Sequence, residues 1–266
     1  MTMEAFLITA KDAALMGGRL LLAEFGRLSE SQINLKGKGD YVTELDHRSE
    51  ETILRRIREE FPDHILHAEE SGLEARNSEY RWLIDPLDGT ANYVQGIPMY
   101  AVSVALLKGK DILVGVVYHP DRDELFLATR GGGAFLNDHP ILVSRKQAMR
   151  NATLASGFPW RSKQYMDSYL NCFKHLLSEA AGIRRMGSAA IDLAYTACGR
   201  FDGFWEMKLG PWDMAAGILL VEEAGGIVTD FHGGKAYFSS GNVVAGSPAI
   251  HAGILKQTRA WLSDIP

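Results

Sequence analysis

Between residues 101 and 136 the chain carries four strand-length apolar runs: Ala101 to Leu107, Ile112 to Tyr118, Glu124 to Thr129 and Gly133 to Leu136. Gly-Lys-Asp, Pro-Asp-Arg-Asp and Gly-Gly signals separate them. Connections this short can join only neighbouring antiparallel strands, so the segment reads as a β-meander. After about Arg150 the pattern changes to alternating β and α. Strands are expected at Ala152 to Ser156, Phe201 to Glu206, Ile227 to Asp230 and Asn242 to Ala245. Helices are expected at Lys163 to Ala180, at Ser188 to Cys198 with Ser188 as N-cap and Gly199 as C-cap, and at Ile250 to Leu262. Pro211 opens another, with Met214, Ile218, Val221 and Gly225 on one face.

The first hundred residues add two helices. One runs from Glu4 to Phe25 and closes at Gly26; the other starts near Asp46, carries Ile53, Leu54, Ile57 and Phe61 at helical spacing, and stops at Pro62. Between them, Lys36-Gly37-Lys38-Gly39-Asp40 reads as a mobile loop. His64 to Leu66 and Arg81 to Ile84 are strands, the second stopped by Asp85-Pro86. The pattern implies a layered α/β protein with helices between two sheets. Residues 1–150 form an α+β half and residues 151–266 an α/β half, with no Pro/Gly/Ser-rich linker between them. A site is expected at their junction.

Composition bounds the function. Apolar residues make up 46% of the chain, enough to bury a core without staples. The net charge of −5 argues against a protein that coats nucleic acid. No apolar run reaches the roughly 18 residues of a membrane span, and Glu4, Lys11 and Asp12 spoil the first one as a signal peptide. The two cysteines, Cys172 and Cys198, form no Cys-x-x-Cys, which favours unpaired thiols and a cytoplasmic setting.

The densest segment for chemistry is Asp85-Pro86-Leu87-Asp88-Gly89-Thr90-Ala91-Asn92, after the strand Trp82 to Ile84. The strand delivers Asp85, Pro86 turns the chain, and Asp88 returns a second carboxylate. Gly89 permits close backbone approach, and a helical turn beginning at Gly89-Thr90 would present free N–H groups to an anion. Two carboxylates beside an anion repel it unless a cation bridges them, and hard oxygen donors suit Mg2+. Asp-Pro and Asp-Gly are also ordinary turn dipeptides. Glu69, in Ala68-Glu69-Glu70-Ser71, and Asp213, in the first turn after Pro211, are further acids at element ends. A solvated turn explains the first and the helix dipole the second when each is taken alone.

Together these segments resemble the inositol monophosphatase family, and closely its bacterial members. Glu69-Glu70-Ser71 is similar to the family's Gly-Glu-Glu-Ser, with Ala68 in place of glycine. Asp85 to Asn92 matches its Asp-Pro-Ile/Leu-Asp-Gly-Thr-x-Asn motif. Trp212-Asp213-Met214-Ala215-Ala216-Gly217 with Glu223-Ala224-Gly225-Gly226 matches its C-terminal motif. The resemblance spans nearly the whole chain and implies an αβαβα sandwich, with an antiparallel sheet in the N-terminal half and a mixed sheet in the C-terminal half.

The resemblance also implies roles. Glu69, Asp85, the carbonyl of Leu87, Asp88 and Asp213 would hold two or three Mg2+. Glu69 and Thr90 would position the attacking water, with Asp46 behind Thr90; Asp46 also suits a helix N-cap. Substrate would meet Leu87, Asp88, Gly89, Thr90, Gly187, Ser188, Ala189, Glu206 and Asp213, with the Gly89 and Thr90 amides on phosphate and Glu206 on sugar or inositol hydroxyls. Lys36 and Lys38 sit in the loop that reaches a third metal in the family, and would equally suit a solvated turn. Li+ inhibition and a homodimer are expected on the same ground. The implied reaction is hydrolysis of myo-inositol monophosphate. Fructose 1,6-bisphosphate, histidinol phosphate or a 3′-phosphorylated nucleotide would suit the same chemistry. A regulatory contact with the transcription or RNA machinery is the reading from a different class, and the acidic composition gives it no support.

Overall fold

The protein is described by a computed structural model over residues 2–37, 40–159 and 162–265. Helix α1 (Met3–Glu24) begins where the Thr2 hydroxyl accepts the Ala5 amide, and it buries Phe6, Ala10, Ala13, Ala14, Gly17 and Leu21 on one face. Where a loop was expected, strands β1 (Ile33–Gly37) and β2 (Asp40–Thr43) pair as an antiparallel hairpin. Lys38 and Gly39 lie outside the described residues, as does the Lys36 side chain. Helix α2 (Glu44–Glu60) packs on α1 at Gly17, where a Cβ would come within 2.8 Å of Ile53 and 2.9 Å of the Ser49 hydroxyl. A larger residue at 17 would force Ile53 and Ser49 to shift.

Strands β3 (Ile65–Ala68) and β4 (Gly72–Leu73) lead to β5 (Tyr80–Asp88), which runs through Asp85-Pro86 instead of stopping there. Its register against the next strand shifts between Asp85 and Asp88, so one extra residue is accommodated as a bulge. A proline is tolerated there because a bulge gives up ladder hydrogen bonds. After the short helix α3 (Thr90–Val94) come β6 (Ala101–Lys108), β7 (Asp111–His119), β8 (Glu124–Thr129), β9 (Gly133–Leu136) and β10 (His139–Pro140). They form the expected meander within an eight-stranded sheet of order β10-β9-β8-β7-β6-β5-β3-β4. Every pairing in it is antiparallel except β3 with β5.

The remaining elements are β11 (Thr153–Ser156), α4 (Met166–Glu179), β12 (Gly182–Arg184), α5 (Ala189–Ala197), β13 (Gly203–Glu206), α6 (Pro211–Glu223), β14 (Ile227–Thr229), α7 (Tyr237–Ser240), β15 (Val243–Gly246) and α8 (Pro248–Trp261). The helix expected from Lys163 opens with a 3-10 turn, so α4 proper starts at Met166. The second sheet is mixed, of order β12-β11-β13-β15-β14. Its strand β13 starts two residues later than expected because Phe201 and Asp202 form the lead-in.

Five layers result. Helices α1 and α2 cover one face of the large sheet; α5 and α6 fill the space between the sheets; α4 and α8 cover the outer face of the second sheet. Helix α6 is not amphipathic in place: Asp213 to Val221 are all buried, because sheets enclose it from both sides. No helix among the described residues is long and apolar enough to cross a membrane.

Candidate active site

Glu69 and Asp85 are brought together by the parallel pairing of β3 with β5 in the large sheet. Ala68 lies opposite Ile84 in the register of β3 and β5, and the Glu69 amide donates to the Ile84 carbonyl at 3.1 Å. The two acids therefore follow one another off the same end of adjacent strands, where open α/β sheets place their ligand crevices. Asp213 reaches the same point from the second half. It occupies the third position of α6, where its Oδ2 accepts the Gly210 amide at 2.7 Å. Ser103, opposite Asp85 in the β5–β6 register, donates its hydroxyl to the Trp212 carbonyl at 2.9 Å and so ties the start of α6 to Asp85. As a result, carboxylate oxygens of Glu69, Asp85 and Asp213 all lie within 4.8 Å of one another.

The bulge presents the rest. The Leu87 amide donates to Asp85 Oδ1 at 2.9 Å, closing an Asx turn. Gly89 has φ +91°, and a Cβ there would meet the Met99 carbonyl at 2.8 Å, so the turn requires glycine. Asp88 points its Oδ2 at the start of α5, accepting the Ser188 hydroxyl at 2.6 Å and the Ala190 amide at 2.7 Å. It lies outside the group of three. Ser188 also accepts the Ile191 amide at 3.3 Å, so it caps α5 as expected, with Cys198 as C-cap and Gly199 beyond it in the left-handed region. Thr90 donates to both the Leu87 carbonyl at 2.9 Å and Asp46 Oδ1 at 3.1 Å.

Asp46 is not the N-cap of α2. Thr43 is, and Asp46 is the third helical residue, whose Oδ2 accepts the Thr43 amide and hydroxyl at 2.8 and 2.7 Å. Its two oxygens thus serve the cap and Thr90 at once.

These residues line a cleft of about 330 Å3 at the junction of the two sheets. The first 150 residues contribute Glu69, Asp85, Leu87, Asp88, Gly89 and Thr90 to its lining. The rest of the chain contributes Gly187, Ser188, Ala189, Glu206 and Asp213, while Asp46 stands behind Thr90. Arg185, Tyr41, Phe158 and Leu209 also line it. The last three escaped sequence reasoning; an aromatic after a strand that is 42% exposed, as Phe158 is, becomes a signal only once the fold is known. Gly157 makes room for Glu206, whose carboxylate occupies the volume a Cβ would fill.

Burial dominates the electrostatics. Asp85 is 1% exposed, and its pKa is driven well above the usual carboxylate range by burial and then by Glu69, Asp88 and Asp213. Burial and Asp213 push Asp88 up to about 7, against the lowering effect of Ser188, the Ala190 amide and Arg185. Burial lifts Asp46 to about 6, although its Thr43 bonds oppose this. Crowded carboxylates that resist ionisation one beside another are the arrangement a multivalent cation relieves.

Comparison with known proteins decides the affiliation: the model of the inositol monophosphatase family matches residues 2–262. The chain belongs to this family. It is 42% identical to an inositol-1-monophosphatase of Mesorhizobium japonicum over 99% of both chains. It is 46% identical to the Nus factor SuhB of Escherichia coli K12 over 98% of both. Among solved structures, the extragenic suppressor protein suhB of Bartonella henselae superposes with a TM-score of 0.93 at 41% identity, covering 96% of this chain and 98% of the other. The IMPase of Thermotoga maritima gives 0.89 at 33% identity, covering 98% and 100%.

Proposed function

We propose that this member of the family is a Mg2+-dependent phosphomonoesterase that hydrolyses myo-inositol monophosphate to inositol and phosphate. The observation that carries this reading is the meeting of Glu69, Asp85 and Asp213 within 4.8 Å, from three distant stretches of chain. The donor set fits Mg2+: all-oxygen, carboxylate-rich, and crowded enough that burial and mutual repulsion raise Asp85. Glu69, Asp85, the Leu87 carbonyl, Asp88 through the oxygen not turned to α5, and Asp213 would hold two or three ions. Bound Mg2+ would supply charge neutralisation on the phosphate and lower the pKa of the attacking water.

The chain itself does the positioning. Thr90, whose hydroxyl is oriented toward Asp46 and Leu87, would with Glu69 orient the water. The Gly89 and Thr90 amides would hold the phosphate. Gly187, Ser188 and Ala189 would bound the leaving group, and Glu206 would accept from its hydroxyls; an acceptor there suits a polyol and disfavours a second phosphate. Phosphoryl transfer asks for positioning and electrostatic stabilisation rather than a covalent residue.

Phosphate release from myo-inositol 1-phosphate, with and without Mg2+, tests this. Turnover that requires Mg2+ and exceeds that on fructose 1,6-bisphosphate, histidinol phosphate and a 3′-phosphorylated nucleotide in kcat/KM supports it. Equal or better turnover of one of those esters would move the substrate while keeping the chemistry. Li+ inhibition, a homodimer, a cytoplasmic setting and two halves meeting near residue 150 belong to the same reading. A second role, contact with the transcription machinery, is favoured by the relatives named Nus factor SuhB at 44–46% identity. Binding retained by a catalytically dead variant would separate the two roles.

A further inference from the structure

Asp46, Ser49 and Glu50 stand at i, i+3 and i+4 on α2, one face of the helix, and each reaches a different part of the cleft's framework. Asp46 accepts from Thr90. The Ser49 hydroxyl donates to the Pro86 carbonyl at 3.0 Å, in the bulge between Asp85 and Asp88. Glu50 is 4% exposed and faces the turn after β3, where Oε2 accepts the Glu70 amide and Oε1 the Ser71 amide, both at 2.9 Å. The amide of Glu69 is already held by the Ile84 carbonyl. Three consecutive backbone N–H groups are therefore fixed around Glu69, one by the neighbouring strand and two by a single buried carboxylate.

We infer that Glu50 is a positioning residue: through the Glu70 and Ser71 amides it sets where Glu69 stands relative to Asp85 and Asp213, and thereby the affinity of the three-carboxylate group for a divalent cation. This rests on the metal-dependent reading above. Both carboxylate oxygens are used on backbone amides, and hydrogen bonds to a charged acceptor are the stronger kind. A turn left without them keeps its sequence and its acids but loses the restraint on their separation. Mg2+ demands near-ideal octahedral geometry, so a displacement of Glu69 weakens it more than it weakens a larger ion such as Ca2+. Ser49 extends the same logic to the other turn, so one rigid helix face sets both ligand-bearing turns against each other.

The test is Glu50→Gln, which keeps the shape but replaces one acceptor by a donor facing an N–H. Calorimetric titration with Mg2+ alone is expected to show about 10-fold weaker binding, with Ca2+ weakened less. In turnover, half-saturating Mg2+ rises by a similar factor, while kcat at saturating Mg2+ and KM for the ester change less than 3-fold. A role confined to stability would lower the melting temperature and leave the Mg2+ titration where it was. Wild-type Mg2+ affinity in folded Glu50→Gln would overturn the inference alone; no Mg2+ binding by the wild type would bring down the functional reading and this inference with it. Should Glu50→Gln not fold, hydrogen exchange on the wild type decides. The Glu70 and Ser71 amides are expected to be strongly protected, and exchange at the rate of an open turn would overturn the assignment.

Discussion

Glu124, on β8, is 7% exposed and receives two N–H groups of Arg200 at 2.7 Å each and the Tyr195 hydroxyl at 3.0 Å. Burial on its own would raise this carboxyl; the Arg200 and Tyr195 bonds reverse the sign and bring it to about 2. Asp85, buried more deeply still, has carboxylates as neighbours and moves the opposite way. One polypeptide thus handles buried acids in two manners. Where the acid holds the fold together, the chain provides the countercharge and a fixed geometry. In the cleft it gathers negative groups and leaves a charge deficit for a ligand to fill.

The contrast breaks most sharply under substitution. Asp85→Asn is expected to cut kcat at least 10²-fold, about 2.7 kcal/mol of barrier, while the melting temperature without Mg2+ stays level or rises because repulsion has been relieved. Mg2+ at 100 times its dissociation constant should stabilise the wild type by about 2.7 kcal/mol and this variant far less. A variant as active as the wild type would remove Asp85 from the chemistry. Glu124→Ala should do the reverse: a loss of about 3 kcal/mol in denaturant unfolding, the low end for a broken buried pair because Arg200 can turn to water, with kcat of the folded fraction near normal.

The acid limb of the stability curve sharpens the picture. His119, beside Glu124 in space and fully buried, is held down to about 4 by burial, against the raising effect of Glu124 and Asp121, and neither ring nitrogen has a partner among the described residues. Its folded pKa lies below the unfolded 6.5, so its contribution is whole above pH 6.5 and drains away as pH falls toward 4. Glu124, depressed from 4.5, takes over below that and is spent near pH 2. His119→Phe should flatten the first window in a pH series of melting curves; an unaltered slope there would show that other groups carry it. The smallest expected effect is Ser103→Ala, about 1 kcal/mol of stability and under 10-fold in kcat/KM, from losing the single bond to Trp212.

The meander was readable because short polar turns leave its strands no freedom of partner, and β8 and β9 begin and end where their residues imply. The cleft was readable where its acids sit in dense motifs. Ser103 was not: a serine inside Val102-Ser103-Val104 looks like an ordinary strand residue until α6 is seen to dock on it. Asp46 was legible through the family resemblance as the partner of Thr90; what was missed is that Thr43 is the cap and Asp46 serves it through its other oxygen. The paired strands β1 and β2 and the three-residue β12 fell below the length at which period 2 can be recognised, and they exist through their partners. The apparent stripe on α6 misled because a helix enclosed by sheets has no polar side to contrast with.

That enclosure has a consequence for how the protein is made. The inner face of the large sheet is complete in sequence by Pro140, yet α5 and α6, which cover it, come from residues 189–223. A ribosome elongating at roughly 5–20 residues per second exposes that bare apolar face for several seconds before its cover emerges. Chaperone dependence and truncation-induced aggregation should therefore concentrate in nascent chains that end between these two points.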